Sequence, residues 1–182
     1  MAQAARELEE QGARALIFDM RNNGGGYVGE LTKMLDSLLP EGPIFRTRSK
    51  NGEEEVVESD GEHIALPMAT LVNAGTYSAA EFFAAQLQES VGALIVGEAT
   101  SGKGYSQQAI PLFNGGALNL STGRYATGAG VSLIGTGVSL DAELSLTEEK
   151  ARLLKEGRLP EGEDDQLQSA LELLGYGWGG PG

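Results

Sequence analysis

Ala69-Thr70-Leu71-Val72-Asn73-Ala74-Gly75-Thr76-Tyr77-Ser78-Ala79-Ala80-Glu81 is the stretch whose reading decides the fold. Its first four residues form a short apolar run of strand length. The polar Asn73–Tyr77 segment then turns the chain, and Ser78 to Ser90 reads as a helix with Phe82, Phe83 and Leu87 on its apolar side. Ala93-Leu94-Ile95-Val96 follows as another buried strand. Upstream, Ala15-Leu16-Ile17-Phe18-Asp19-Met20 is a third such run, expected to be buried on both faces. Between it and Ala69, Val28, Leu31, Leu35 and Leu38 recur at helical spacing and must stop before Pro40-Glu41-Gly42-Pro43. Strands alternating with helices predict an α/β fold with a mostly parallel sheet flanked by helices.

Two β-hairpins are expected beside that sheet. Ile44–Arg48 and Glu55–Glu58 flank Asn51-Gly52, and we expect this hairpin to face solvent. Gln108–Phe113 and Ala117–Thr122 flank Asn114-Gly115-Gly116. Further on, Ser145-Leu146-Thr147-Glu148 has the form of a capping box for a helix reaching Gly157. A last helix starts near Asp164 or Asp165 and stops at Gly175. We expect one domain over residues 1–175 and a disordered tail over 176–182.

Composition narrows the function. The 182 residues carry a formal charge of −13, with acids crowded at Glu53–Glu62 and Glu161–Asp165. Such runs are solvated faces, and nucleic acid, which calls for a basic surface, is excluded as a partner. No apolar run is long enough to span a bilayer. Met1 leads directly into Ala4-Ala5-Arg6-Glu7-Leu8-Glu9-Glu10, so we expect no signal peptide. With no Cys and a single His, His63 beside acids in a turn, nucleophilic chemistry must use a hydroxyl and, in preference to an imidazole, a lysine base.

Two glycine-rich segments imitate phosphate loops and fail in detail. Gly24-x-Gly26-x-x-Gly29 lies between a strand and a helix. However, Arg21, Asn22 and Asn23 separate its first glycine from the strand, and the next strand offers no acid for a ribose. Gly97-x-x-x-x-Gly102-Lys103-Gly104 lacks the Ser or Thr that would hold magnesium, and extended chain follows where a helix is needed. No metal, nucleotide or other cofactor is expected.

Ser78 and Lys103 together read as a hydrolase centre. A serine hydroxyl needs a base to take its proton. Lysine serves only when neutral, so we expect Lys103 to be held away from water, which lowers an amine from its ordinary pKa of about 10.4. Ser78 at a helix N-terminus places the Ala79 N–H where it can stabilise an oxyanion. The loop Gly24–Gly26 sits at the C-terminal end of another strand, where functional loops of parallel sheets gather. Read singly, Ser78 is an ordinary helix cap, Lys103 a loop lysine and the glycines a tight turn. Asp19 and Glu81 read as structural partners.

These segments resemble the C-terminal processing, or tail-specific, proteases, serine peptidases with a Ser-Lys dyad. The resemblance is carried by Asn73 through Glu81 and by Gly97-Glu98-Ala99-Thr100-Ser101-Gly102-Lys103-Gly104, with 25 positions between serine and lysine. It is also carried by Asp19-Met20-Arg21-Asn22-Asn23-Gly24-Gly25-Gly26 and by Arg124-Tyr125-Ala126-Thr127, and more weakly by Asp165-Gln166-Leu167-Gln168. It implies a core like that of the crotonase and Clp-protease superfamily. It also implies that Gln107, four residues past the lysine, orients it, and that Gly25 or Gly26 supplies the second oxyanion donor. Polypeptide substrates cut near their C-termini and an extracytoplasmic, for instance periplasmic, location follow as expectations. The sequence departs from the family at Gly24, where a proline is usual, at Gly128-Ala129-Gly130-Val131 and at Leu140, changes expected to loosen the loops. Many members carry a PDZ domain and strands ahead of this core, so we expect a core lacking both, completed by that segment or by a homo-oligomer. A non-catalytic binding or assembly domain, or an inactive truncated protease core, is the alternative.

Overall fold

The computed structural model describes residues 2–176; of the tail expected to be disordered over 176–182, Tyr176 is described and residues 177–182 lie outside that range. The chain runs α1 (Ala2–Glu10), β1 (Leu16–Asp19), α2 (Val28–Asp36), β2 (Gly42–Ser49), β3 (Glu54–Ser59), β4 (Met68–Val72) and α3 (Ala79–Val91). It continues through β5 (Leu94–Gly97), β6 (Tyr105–Pro111), β7 (Ala117–Ala126), β8 (Ala142–Glu143), α4 (Glu148–Lys155) and α5 (Asp165–Leu173).

Two four-stranded sheets result. One is parallel, in the order β1-β4-β5-β8, and the other is antiparallel, in the order β3-β2-β7-β6. The parallel sheet matches the alternating sequence pattern. The two hairpins do not stand apart, because β2 pairs with β7 and joins them into one sheet.

The central strand β4 is buried along its whole length. Successive side chains leave a strand on opposite faces, so Met68 and Val72 enter the main core with α2, α3 and β2, while Ala69 and Leu71 face α5 through Ala170, Leu167 and Leu174. The edge strand β1 is only half-covered: Ile17 packs toward the α5 side and Phe18 toward α3, its ring edge-on to Phe83 at 5.1 Å. The expectation that β1 is buried on both faces fails because its outer side carries no further strand among the described residues.

The first hairpin is likewise not wholly solvent-facing. Ile44 and Phe45 are buried, and the Phe45 ring meets Phe82 at 5.5 Å and Tyr125 at 5.1 Å. This aromatic cluster ties the antiparallel sheet to α3.

The helix ends follow local chemistry. Thr147, not Ser145, caps α4, its side chain accepting from the Lys150 N–H. Asp164 caps α5 through the Leu167 N–H, and Gly175 follows the C-cap with φ +85°, the left-handed turn that glycine takes without strain. Tyr176 is held in place, its hydroxyl donating to the Arg14 carbonyl at 3.2 Å.

Candidate active site

β1, β4 and β5 run parallel, so the loops that follow them emerge at one end of the sheet. Those loops carry the glycines, the serine and the lysine. They are stitched together by polar contacts. Asn73 Oδ1 accepts from the Asn22 N–H at 2.9 Å and the Gly75 N–H at 3.0 Å. The Tyr77 N–H donates to the Asn23 carbonyl at 3.2 Å, and the Thr76 hydroxyl to the Met20 carbonyl at 2.7 Å. Ser101 reaches back with its hydroxyl to the Ala74 carbonyl at 3.1 Å.

Ser78 sits on the turn from β4 into α3 with φ 59° and ψ −129°, a conformation that non-glycine residues avoid. Backbone strain of this kind costs about 1–3 kcal/mol and persists only where the surroundings enforce it. Here the enforcing group is Glu81. Its side chain is completely buried. Oε2 accepts from the Ser78 N–H at 2.8 Å and the Lys103 N–H at 2.9 Å. Oε1 accepts from the Thr100 hydroxyl at 2.6 Å and the Gly102 N–H at 2.7 Å. One carboxylate thus fixes the backbones of both the serine and the lysine.

Gly25 closes the site from the other side. Its φ is +80°, and a Cβ placed there would stand 2.7 Å from the Ala79 nitrogen and 2.8 Å from the Tyr77 carbonyl oxygen, so the loop approaches the turn as only glycine allows. The Gly25 N–H donates to Asn23 Oδ1 at 2.9 Å.

Ser78, Ala79, Lys103, Gln107, Gly25 and Gly26 all line one cavity of about 290 Å³, walled further by Phe45, Phe82 and Tyr125. The six residues expected in the dyad, its orienter and the oxyanion donors therefore line one cavity. Burial raises the Tyr125 phenol above its ordinary range. Gln107 is exposed on β6, where the pairing with β7 shifts register between Ser106 and Gln107.

Lys103 departs from expectation. Its side chain is exposed rather than held from water, and Nζ lies 5.3 Å from the centroid of the Tyr77 ring, a cation–π contact. The same ring occupies the space above Gly24, where an added Cβ would come within 2.5 Å of the Tyr77 hydroxyl. Glycine at this position thus leaves room for the Tyr77 ring beside the lysine.

Sequence reasoning also missed the support beneath the glycine loop. The Arg21 side chain is 3% exposed and bridges Asp19 and Asp164, Nη2 lying 2.7 Å from a carboxylate oxygen of each. Its Nη1 donates to Gln166 Oε1 at 3.0 Å. Burial alone would lower the guanidinium pKa, but the two carboxylates outweigh it and raise the pKa. The signal in the sequence was the weak match at Asp165–Gln168, adjacent to Asp164.

With this geometry in place, comparison with known proteins is informative. The model for peptidase family S41 matches residues 1–144. The chain belongs to peptidase family S41. Among relatives in the family, the chloroplastic C-terminal processing peptidase of Tetradesmus obliquus is 38% identical over 144 residues, covering 78% of this chain and 31% of that protein. The carboxyl-terminal-processing protease of Synechocystis sp. is 34% identical over 175 residues, covering 96% and 40%. The solved photosystem II D1 C-terminal processing protease superposes with a TM-score of 0.76 at 34% identity, covering 91% of this chain and 43% of that one. The fold is therefore the S41 protease fold, and the chain spans less than half the length of these relatives. Among the described residues no helix is long and apolar enough to cross a membrane.

Proposed function

We propose that this chain is the catalytic core of a serine endopeptidase that processes polypeptides near their C-termini. The observation that carries the reading is the convergence of Ser78, Lys103, Gln107 and the Gly25–Gly26 loop on one cavity. Ser78 Oγ attacks the peptide carbonyl while the Lys103 amine, once substrate or further protein shields it from water, takes its proton. The C–N bond then breaks, Lys103 returns the proton to the leaving amine, and an ester to Ser78 remains. Water, deprotonated by the same amine, hydrolyses that ester. Gln107 orients the amine.

The oxyanion is held by the Ala79 N–H, at the first turn of α3 where no intrahelical acceptor is available, and by an N–H of the glycine loop. Because the Gly25 N–H already donates to Asn23, the Gly26 N–H is the better second donor. No cofactor enters this scheme. By analogy with the processing proteases named above, the substrates are polypeptides, and the family resemblance of the motifs makes an extracytoplasmic setting part of the same reading.

Exposure of Lys103 favours a second reading in which the chain binds or assembles but does not turn over until further protein covers the lysine. Peptide hydrolysis by the wild type, Ser78→Ala and Lys103→Ala separates the two. Loss of about 10³-fold or more in both variants is expected for a dyad. Equal rates in all three proteins would refute the dyad, and labelling of an ordered but inert wild type by no serine-directed probe would favour the assembly reading.

A further inference from the structure

A second cavity, about 670 Å³, opens beside the first and is lined by Arg48, Lys50, Arg124 and Tyr105. Arg48 stands directly opposite Arg124 across the β2–β7 ladder, and Arg124 stands opposite Tyr105 across β7–β6, so the three side chains share one face of the sheet. The Arg124 guanidinium lies 5.9 Å from the Tyr105 ring centroid. Like charges placed opposite each other on a ladder repel. The chain has 26 acidic residues, yet among the described residues none forms a salt bridge with Arg48, Lys50 or Arg124. Glu54 faces Arg48 in the β2–β3 register, but its carboxylate is taken by Arg46 Nη1 at 3.2 Å. Three cations are thus left converging on a cavity in a protein whose overall charge is −13.

Tyr105 lines both this cavity and the one that holds Ser78. We propose that the basic cavity is a subsite for a carboxylate of the peptide substrate, lying within a few residues of the bond at Ser78. Guanidinium forks match carboxylates in a bidentate geometry. A bound carboxylate would also relieve the repulsion between Arg48 and Arg124, and would offset locally the repulsion that an acidic protein exerts on an acidic peptide. The carboxylate belongs either to the C-terminus of the substrate or to an Asp or Glu side chain. This inference rests on the peptidase reading of the neighbouring cavity and names the class of substrate that cavity receives.

The test uses binding, so that it does not depend on turnover. Ser78→Ala protein is titrated with one fluorescent peptide in three forms: with a free C-terminus and no acidic side chains, with an amidated C-terminus and Asp and Glu side chains, and amidated with Asn and Gln in their place. At least one charged form is expected to bind about tenfold more tightly than the neutral form, a preference of about 1.4 kcal/mol. The form that does so identifies the source of the carboxylate. Adding Arg48→Gln and Arg124→Gln removes the preference, as does raising the salt. The melting temperature of that variant equals or exceeds the parent's, which shows that the fold survives. Equal affinity for all three peptides, or a preference that persists without the two arginines, overturns the proposal. Wild-type protein that binds with the charge preference but cleaves none of the peptides contradicts the peptidase reading alone. Wild-type protein that cleaves all three peptides alike, with equal affinities, contradicts the subsite alone.

Discussion

Glu81 shows what a single buried carboxylate does for the strained turn at Ser78. It accepts four hydrogen bonds, two of them from the Ser78 and Lys103 amides. Glutamine has the same shape but brings an NH₂ group to at least one backbone N–H that needs an acceptor, that of Gly102 or those of Ser78 and Lys103. Charge-assisted bonds contribute about 1.5–3 kcal/mol each, so Glu81→Gln should destabilise the fold by about 2–4 kcal/mol and lower kcat by more than it raises KM. Urea unfolding and steady-state kinetics read both effects, and an unchanged denaturation midpoint would show that the four bonds do not hold the turn. At this scale much was legible in the sequence: Ser78, Lys103, Gln107 and the glycine loop all reach one cavity. The strained φ of Ser78 was not legible, because the local Glu81 contact is held in place by Thr100, Gly102 and Lys103 and backed by Gly25, all remote in the chain. Nor was the exposure of Lys103, which depends on what packs above it rather than on its glycine neighbours.

Among the elements, α5 and the antiparallel sheet matter most, because each supports the site from a distance. Asp164 at the N-cap of α5 is 5% exposed and pairs with Arg21, which in turn precedes the glycine loop. Removing one member of a buried pair leaves the other charge uncompensated, so Asp164→Ala should cost about 3 kcal/mol, seen as a lowered melting temperature. A change of less than about 0.5 kcal/mol would mean that Asp19 alone satisfies Arg21.

In the antiparallel sheet, Tyr125 packs on Phe45 and Phe82, and its burial raises the phenol pKa above the usual 10.0. The unfolded chain therefore loses the Tyr125 proton first as pH rises. Its contribution to stability is complete below about pH 10 and is lost as the pH climbs through the higher folded value. Comparing wild type with Tyr125→Phe by denaturant midpoints between about pH 9 and about pH 11 should show a steeper alkaline fall in the wild type, whereas parallel curves would place the phenol in water. Local pattern marked β1, β4, β5 and the two hairpins, but not the two-residue strand β8. The β2–β7 pairing that merges the hairpins joins residues nearly eighty positions apart, and local pattern carries no record of such a contact.

Across the whole molecule, covered and uncovered surfaces divide unevenly. One end of the parallel sheet gathers three tightly cross-linked loops, while the β6–β7 hairpin extends outward with Ile110, Leu118 and Leu120 exposed and Phe113 entirely so. The chain spans 31–43% of the length of the relatives compared above. Family membership and fold are properties of the described core, whereas the proposed turnover requires that Lys103 become covered when substrate or further protein arrives. The central claim is that Ser78 carries the acyl group and Lys103 activates it. Intact-mass spectrometry of protein quenched during incubation with a peptide substrate tests this most directly. The account predicts an added mass equal to the N-terminal peptide fragment, mapped to Ser78 in the wild type and absent from both Ser78→Ala and Lys103→Ala. Cleavage of the peptide with no such adduct on Ser78, or an adduct that survives in Ser78→Ala, would contradict it.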